Sequence, residues 1–180
     1  MVQIIKTSIE NLKIVQLDIY EDPRGFFTER FNKDKFQELG LITEYFQDNW
    51  SLSKPGVLRG LHYQNNPSQT KLVGCISGRI WDVAVDIRPK SKTFGQHFAM
   101  ELNEYEGKML YIPSGFAHGF CVIGNKPAHV MYKADNKYSK EGEGGLIYND
   151  KDLDIKWPIK NPILSDKDLL LPKFSDLKND

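Results

Sequence analysis

Turn-forming residues interrupt this sequence at short intervals, and runs rich in Val, Ile, Tyr and Phe lie between them. Proline and glycine supply the backbone angles that tight turns need, whereas β-branched and aromatic side chains fit the pleated surface of a sheet. The pattern predicts many short strands and little helix, which is typical of an all-β sandwich or barrel. Among these architectures a jelly roll is the leading candidate. The turn signals are Asp22-Pro23-Arg24-Gly25, Lys54-Pro55-Gly56, Asn66-Pro67-Ser68, Ser77-Gly78, Glu106-Gly107, Pro113-Ser114-Gly115 and Gly124-Asn125.

The clearest strand candidate is the segment 79–88. Its odd-numbered positions from Trp81 to Ile87 are apolar, and Asp82 and Asp86 alternate with them. Because successive side chains of a strand point to opposite faces, one face is apolar and the other polar. This alternation predicts a sheet that is covered on one side only or that lines a wet cavity. The other predicted strands are 12–20, 57–64, 71–76, 109–112, 119–123 and 129–134.

Helical signals are few. Asn32 can cap a short helix that carries Phe36 and stops at Gly40, since asparagine is favoured at the N-cap and glycine just beyond the C-terminus. A second short helix is predicted to begin at Ser165, so the few helices include a C-terminal one.

Length and charge limit the classes of protein to which the chain can belong. Its 180 residues favour a single domain over residues 1–180, large enough for a core of its own. Lys plus Arg and Asp plus Glu number 24 each, a balance that argues against a nucleic-acid binder. No apolar run approaches the ~20 residues that span a bilayer, so no membrane association is expected. Cys75 and Cys121 form no disulfide pattern and no signal peptide is evident, which predicts a cytoplasmic location.

The segment 56–64 places Arg59 and His62 three residues apart. Histidine exchanges protons near neutral pH, since its unperturbed pKa is ~6.5, so His62 is a candidate acid–base residue. For an isolated histidine, a purely structural place in a sheet is the more frequent case. Strict alternation would send Arg59 and His62 to opposite faces. A bulge at Gly60 could re-aim one of them, and the sequence leaves this open.

Metal binding is the alternative role for this segment, because many jelly-roll proteins hold a metal with His-x-His and a following Glu. Here Gln64 stands at the third position and no carboxylate follows at short range. The four histidines of the chain form no close pair. The sequence therefore predicts no metal site and leaves His62 free for proton transfer.

Three further residues each allow a structural and a chemical interpretation. Lys71 opens a predicted strand, where a lysine is most often solvated, but its ammonium could also stabilise a developing oxyanion. His118 lies in the Gly-rich segment 112–120, which is equally compatible with a buried structural turn. Tyr132 is in a predicted strand and becomes a catalytic candidate only if it faces His62 across a cavity.

Ser165 and Asp168 have the spacing of a helix-capping pair. The alternative is that Asp168 orients an imidazole, which fixes its tautomer and stabilises its charged form. The two roles compete for one carboxylate.

Together these segments resemble the dTDP-4-dehydrorhamnose 3,5-epimerase family, from about residue 4 to residue 172. The resemblance implies a cupin jelly roll, a homodimer whose N-terminal strands exchange between subunits, and no cofactor. It implies the conversion of dTDP-4-dehydro-6-deoxy-D-glucose to dTDP-4-dehydro-L-rhamnose by inversion at C3 and C5. The ordered motifs are Asp22-Pro23-Arg24-Gly25-Phe26-Phe27, Phe46-Gln47-Asp48-Asn49, Val57-Leu58-Arg59-Gly60-Leu61-His62, Lys71-Leu72-Val73, 82–88, 112–120, Tyr132-Lys133, Asn149-Asp150, Trp157-Pro158 and 164–168.

The resemblance also implies roles for individual residues. His62 is expected to be the base, Asp168 its orienting partner and Tyr132 the proton donor. Lys71 is similar to the lysine that lies beside the sugar carbonyl in the family. Asp82 is expected to support His62. Contacts to the dTDP-sugar are expected from Arg24, Glu29, Gln47, Asn49, Arg59, Lys71, His118, Glu143 and Lys167.

Two alternatives remain open on the sequence alone. One is a relative that inverts only C3, or that moves the ketone, on another nucleotide sugar; the other is a cupin that binds a sugar nucleotide without catalysis. Tyr148-Asn149-Asp150 stands where the family commonly has Trp-Asn-Asp, so the preference for sugar or base could differ. Tyr138 and Phe27 are candidates for stacking on the thymine.

Overall fold

Two antiparallel sheets packed face to face form the protein, as seen in a computed structural model that describes residues 1–177. The described residues form thirteen strands and three short helices, which confirms the predicted jelly-roll β-sandwich with little helix. The strands are β1 (Gln3–Lys6), β2 (Lys13–Gln16), β3 (Tyr20–Asp22), β4 (Gly25–Phe27), β5 (Gln47–Ser53), β6 (Leu58–Gln64), β7 (Lys71–Ser77), β8 (Arg79–Asp86), β9 (His97–Asn103), β10 (Lys108–Ile112), β11 (Phe116–Val122), β12 (Ala128–Ala134) and β13 (Glu143–Gly145). The helices are α1 (Lys33–Glu38), α2 (Asp166–Leu169) and α3 (Phe174–Leu177).

The strand order separates the residues of interest between two layers. One sheet has six strands in the order β1-β2-β10-β7-β12-β5, and the other has five in the order β13-β6-β11-β8-β9. Strands β3 and β4 form a separate hairpin whose residues are all exposed. The main core fills the space between the sheets with residues such as Val73, Ile80 and Phe120.

Strand β8 is buried on both faces, so the prediction of a sheet covered on one side only was wrong for this strand. Its apolar face, with Val83 and Val85, packs against a second core that includes Leu146 and Phe174 from the C-terminal segment. Its polar face turns inward, where Asp82 is fully buried. The alternative prediction, a polar face toward a cavity, is closer to the structure, because Asp82 contacts a histidine that lines the pocket between the sheets.

The two predicted helix starts are confirmed. The Asn32 side chain accepts a hydrogen bond from the backbone N–H of Lys35 at 3.2 Å, and Gly40, at φ +67°, follows the end of α1. Ser165 caps α2. Strands β1, β4, β5, β9 and β13 were not predicted, and the predicted strand 12–20 is divided between β2 and the start of the hairpin. Within residues 1–177, every helix is too short to cross a bilayer.

Candidate active site

A pocket of about 460 Å³ opens between the two sheets. The six-stranded sheet contributes Lys71 and Tyr132, the five-stranded sheet contributes the two histidines, and α2 closes one side. The structure thus brings together residues that lie more than a hundred positions apart in the sequence. The predicted site residues that line the pocket are Arg59, His62, Lys71, His118, Tyr132, Lys167 and Asp168.

His62 and Asp168 form a close pair at this site. Nε2 of His62 lies 2.6 Å from Oδ1 of Asp168, and the aspartate is buried while the imidazole is about one-third exposed. The backbone N–H of Asp168 donates to the Ser165 hydroxyl, so serine caps the helix while the carboxylate binds the imidazole. Capping and orientation therefore use different atoms of Asp168, and the expected competition for its carboxylate does not arise. A carboxylate on one ring nitrogen fixes the tautomer and leaves Nδ1 for proton transfer.

A bulge in β6 brings Arg59 and His62 to the same pocket. The register of β6 against β11 shifts between His62 and Arg59, which breaks the strict alternation of side chains. Gly60 occupies the bulge at φ +108°, and a Cβ atom there would lie 2.6 Å from the Gly119 Cα. Only glycine fits this conformation and this close approach. The sequence left open whether a bulge at Gly60 brings Arg59 and His62 together, and the structure shows that it does.

Lys71 lines the pocket and is half-buried. Burial lowers the pKa of Lys71 to about 8, because a charged ammonium is poorly solvated there. The negative charges of Asp82 and Glu143 act in the opposite direction and raise it. Lys71 is therefore a cation at neutral pH, placed where a developing negative charge on a ligand can be stabilised.

Tyr132 approaches the pocket from the opposite sheet to His62. Burial raises the pKa of its phenol, with a smaller opposing effect from the positive charge of Arg59. A raised pKa keeps the hydroxyl protonated at neutral pH, so Tyr132 can act as a proton donor. Tyr132 and His62 therefore share one cavity, which makes Tyr132 a catalytic candidate.

Lys167, on the pocket wall, begins a series of polar contacts. The Lys167 ammonium lies 2.6 Å from Oε2 of Glu143, and the Tyr138 hydroxyl donates to the same oxygen at 2.8 Å. The hydrogen bond from Lys167 is the main cause that lowers the pKa of Glu143. Glu143 belongs to β13, which pairs with β6 next to His62. Of these three side chains Lys167 lines the pocket, and Glu143 connects it to Tyr138.

His118 binds a buried carboxylate. Nε2 of His118 lies 2.9 and 3.1 Å from the two carboxylate oxygens of Asp82. Asp82 was expected to support His62; the direct partner of its carboxylate is His118, which lies opposite His62 in the pairing of β11 with β6. His118 belongs to strand β11 and not to a turn, because the turn of that segment ends before Phe116.

Five of the expected contact residues do not line the pocket, and Glu143, which binds Lys167, is one of them. Gln47 and Asn49 lie on β5, where Asn49 is opposite Tyr132 and Gln47 accepts a hydrogen bond from Gln69. Arg24 binds Asp22 within the exposed hairpin. Glu29 pairs with Lys35 at a separate small cavity.

Sequence reasoning missed several residues that line the pocket. Ser51 belongs to β5, whose alternating Gln47, Asn49 and Ser51 are polar and could have indicated a strand with one face toward a wet cavity. Ile163 joins the pocket because it forms a parallel bridge with Val57, a contact without any local sequence signal. Among residues 1–177 no group of three or more His, Cys, Asp or Glu side chains is arranged to hold a metal ion.

Comparison with known proteins agrees with this geometry. The family model described as dTDP-4-dehydrorhamnose 3,5-epimerase matches residues 6–176. A dTDP-4-dehydrorhamnose 3,5-epimerase of Shigella flexneri is 49% identical over 175 residues, which cover 96% of each chain. The crystal structure of the enzyme of that name from Elizabethkingia anophelis superposes with a TM-score of 0.91 at 47% identity, covering 97% of each chain.

A third similar protein was solved with a ligand. It is a dTDP-6-deoxy-D-glucose-3,5-epimerase from Legionella pneumophila in complex with dTDP-4-keto-L-rhamnose, with a TM-score of 0.92 and 42% identity. The match covers 98% of the present chain and 97% of that one. Fold and sequence therefore agree over nearly the whole chain, which belongs to the dTDP-4-dehydrorhamnose 3,5-epimerase family.

Proposed function

We propose that this protein is an isomerase that epimerises dTDP-4-dehydro-6-deoxy-D-glucose at C3 and C5 to give dTDP-4-dehydro-L-rhamnose, in dTDP-L-rhamnose biosynthesis. The observation that supports this most directly is the position of His62 and Tyr132, which line one pocket from opposite sheets. An epimerase must remove a proton from one face of a carbon and return one to the other face. Two proton-transfer groups on opposite walls of a pocket satisfy that requirement.

The chemistry proceeds through an enolate. The C4 ketone acidifies the hydrogens on C3 and C5, so His62 can remove one of them while the electron pair moves onto the ketone oxygen. The Lys71 ammonium stabilises the resulting oxyanion, and one such donor is often worth about 10²–10³ in rate. Tyr132 then donates its proton to the opposite face of the carbon, which inverts it. Asp168 holds the His62 ring in place and stabilises the charge that the ring acquires.

The rest of the pocket is suited to the anionic part of the substrate. Arg59 presents a planar guanidinium, which matches phosphate oxygens better than an ammonium does. Lys167 adds an ammonium on another wall. We assign the dTDP diphosphate to Arg59 and Lys167, with Tyr138, which binds Glu143 beside Lys167, available for stacking on the thymine. Since a nucleotide sugar is the reactant, we place the enzyme in the cytoplasm.

Incubation with the 4-keto substrate in D₂O tests the proposed function. We expect deuterium at both C3 and C5 and a product with both centres inverted, seen by mass spectrometry and NMR. Exchange and inversion at C3 alone would identify a C3 epimerase instead. Saturable binding of the nucleotide sugar without any exchange would identify a binding protein and contradict the proposal.

We further propose that the protein is a homodimer of single-domain subunits whose N-terminal hairpins exchange. Arg24 and Glu29, expected at the substrate, lie outside the pocket of their own chain. The hairpin that carries Arg24 exposes Phe26 and Phe27, and the outer face of β5 exposes Trp50 and Leu52. Exposed apolar patches of this kind mark interaction surfaces. In a twofold dimer, each hairpin can reach the pocket of the other subunit.

Subunit complementation tests the exchange. Arg24→Ala and His62→Ala should each inactivate the protein, because each removes one part of the site. When the two chains are refolded together at equal concentration, about a quarter of the wild-type activity should return, since half of the dimers are mixed and each has one intact site. Mixing two His62→Ala preparations is the control. No recovery in mixtures that light scattering shows to be dimers would contradict the exchange.

A further inference from the structure

Asp82 is a fully buried carboxylate next to the pocket that the proposed mechanism does not use. It belongs to β8 and does not line the pocket itself. Within residues 1–177 its only hydrogen-bond partner is Nε2 of His118, at 2.9 and 3.1 Å. Burying a carboxylate is costly unless a nearby donor or cation compensates it. The position therefore calls for a reason beyond packing.

The contact with Asp82 determines which edge of His118 meets the ligand. A carboxylate accepts but cannot donate, so the Nε2 atom of His118 must carry a proton. Within residues 1–177, Nδ1 of His118 has no hydrogen-bond partner. It is not one of the solvent-inaccessible polar atoms that lack a partner, so the atom is accessible to solvent. Because His118 lines the pocket, Nδ1 faces that space. Asp82 thus orients the ring from behind.

Asp82 also acts on Lys71 through its charge. Of the charges that raise the pKa of Lys71, that of Asp82 is the largest and that of Glu143 follows. Lys71 is on the six-stranded sheet and Asp82 on the five-stranded sheet, so the two face the interior from opposite layers. The other charged or titratable groups around the pocket are Arg59, His62, His118, Tyr132, Lys167 and Asp168.

We propose that Asp82 is a positioning residue for the epimerisation: it presents Nδ1 of His118 to the substrate and keeps the Lys71 ammonium charged. This inference rests on the proposed function only for its kinetic consequence. An ammonium that loses its proton can no longer stabilise an enolate oxygen, so activity falls as the pH rises through the pKa of Lys71. Asp82 extends the active range toward higher pH.

The test is the pH profile of kcat/KM for Asp82→Asn, which removes the charge but keeps size and an acceptor oxygen. The wild-type alkaline limb should lie near pH 8, the value to which burial lowers the pKa of Lys71. Without the opposing charge of Asp82 the limb should move down by roughly one pH unit, since an opposite charge close to a titrating group shifts its pKa by about that much or more. At pH 8.5 the variant should therefore lose more activity than at pH 6.5.

Asp86→Asn is the matched control, because Asp86 lies on the same face of the same strand and is also fully buried. Its carboxylate binds Arg88, Ser91 and Thr93, away from the pocket. Burial alone would raise the pKa of Asp86, but these hydrogen bonds lower it to about 2. The control should reduce thermal stability and leave the alkaline limb unchanged. If the alkaline limb of kcat/KM lies at the same pH in both variants and in the wild type, the proposal is overturned.

A second measurement does not depend on activity or on the folding of a variant. NMR of the wild type with ¹⁵N-labelled histidine, with His118 assigned through His118→Gln, should show the proton of the neutral ring on Nε2. A neutral ring with its proton on Nδ1 would overturn the orientation by Asp82. If the wild type has no activity on the keto-sugar, the proposed function fails, whereas the NMR result still tests the contact between Asp82 and His118.

Discussion

Replacing His62 with alanine should abolish both inversion and solvent-deuterium uptake at C3 and C5 of the 4-keto sugar. The substitution removes the base, so no enolate forms and neither process can begin. Positioned acid–base catalysis contributes typically about 10²–10⁴-fold, and we expect kcat to fall by that factor or more. NMR of the sugar after incubation in D₂O measures the two processes in one experiment.

His97→Gln is the control for this substitution. His97 begins β9, at the edge of the five-stranded sheet, and does not line the pocket. The control should retain exchange and inversion at the wild-type rate. Deuterium uptake by His62→Ala at the wild-type rate would show that another group is the base.

Much of the fold follows from local sequence signals. Glycine and proline turns, alternation in β8 and the caps at Asn32 and Ser165 each act over a few residues, and each is confirmed. The strands that were missed had weaker local signals. β5 alternates polar and apolar residues, but its exposed Trp50 and Leu52 lie on the outer face, so its hydrophobic side does not face the core.

The site depends on contacts that no local pattern contains. His62 and Asp168 are 106 positions apart, and only the packing of α2 against β6 brings their side chains within 2.6 Å. The direct partner of Asp82 could not be predicted for the same reason, because the register between β8 and β11 decides which histidine it meets. Resemblance to a family supplied the identity of these residues, and the strand pairing supplied their arrangement.

Tyr132→Phe should separate the two processes that His62→Ala removes together. The substitution deletes only the hydroxyl, which is the proton donor on the face opposite His62. His62 can still form the enolate and can return a deuteron to the face from which it took the proton. We expect inversion to fall by roughly 10²–10⁴-fold while deuterium uptake with retained configuration continues.

Tyr45→Phe is the matched control for the loss of a buried tyrosine hydroxyl. The Tyr45 hydroxyl is buried without a hydrogen-bond partner among residues 1–177, and its ring packs against Phe31 outside the pocket. Removing an unsatisfied hydroxyl leaves no new unpaired group, so stability and activity should be unchanged. If Tyr132→Phe loses exchange and inversion together, the hydroxyl helps to form the enolate. If inversion stays normal, the second proton comes from another wall of the pocket.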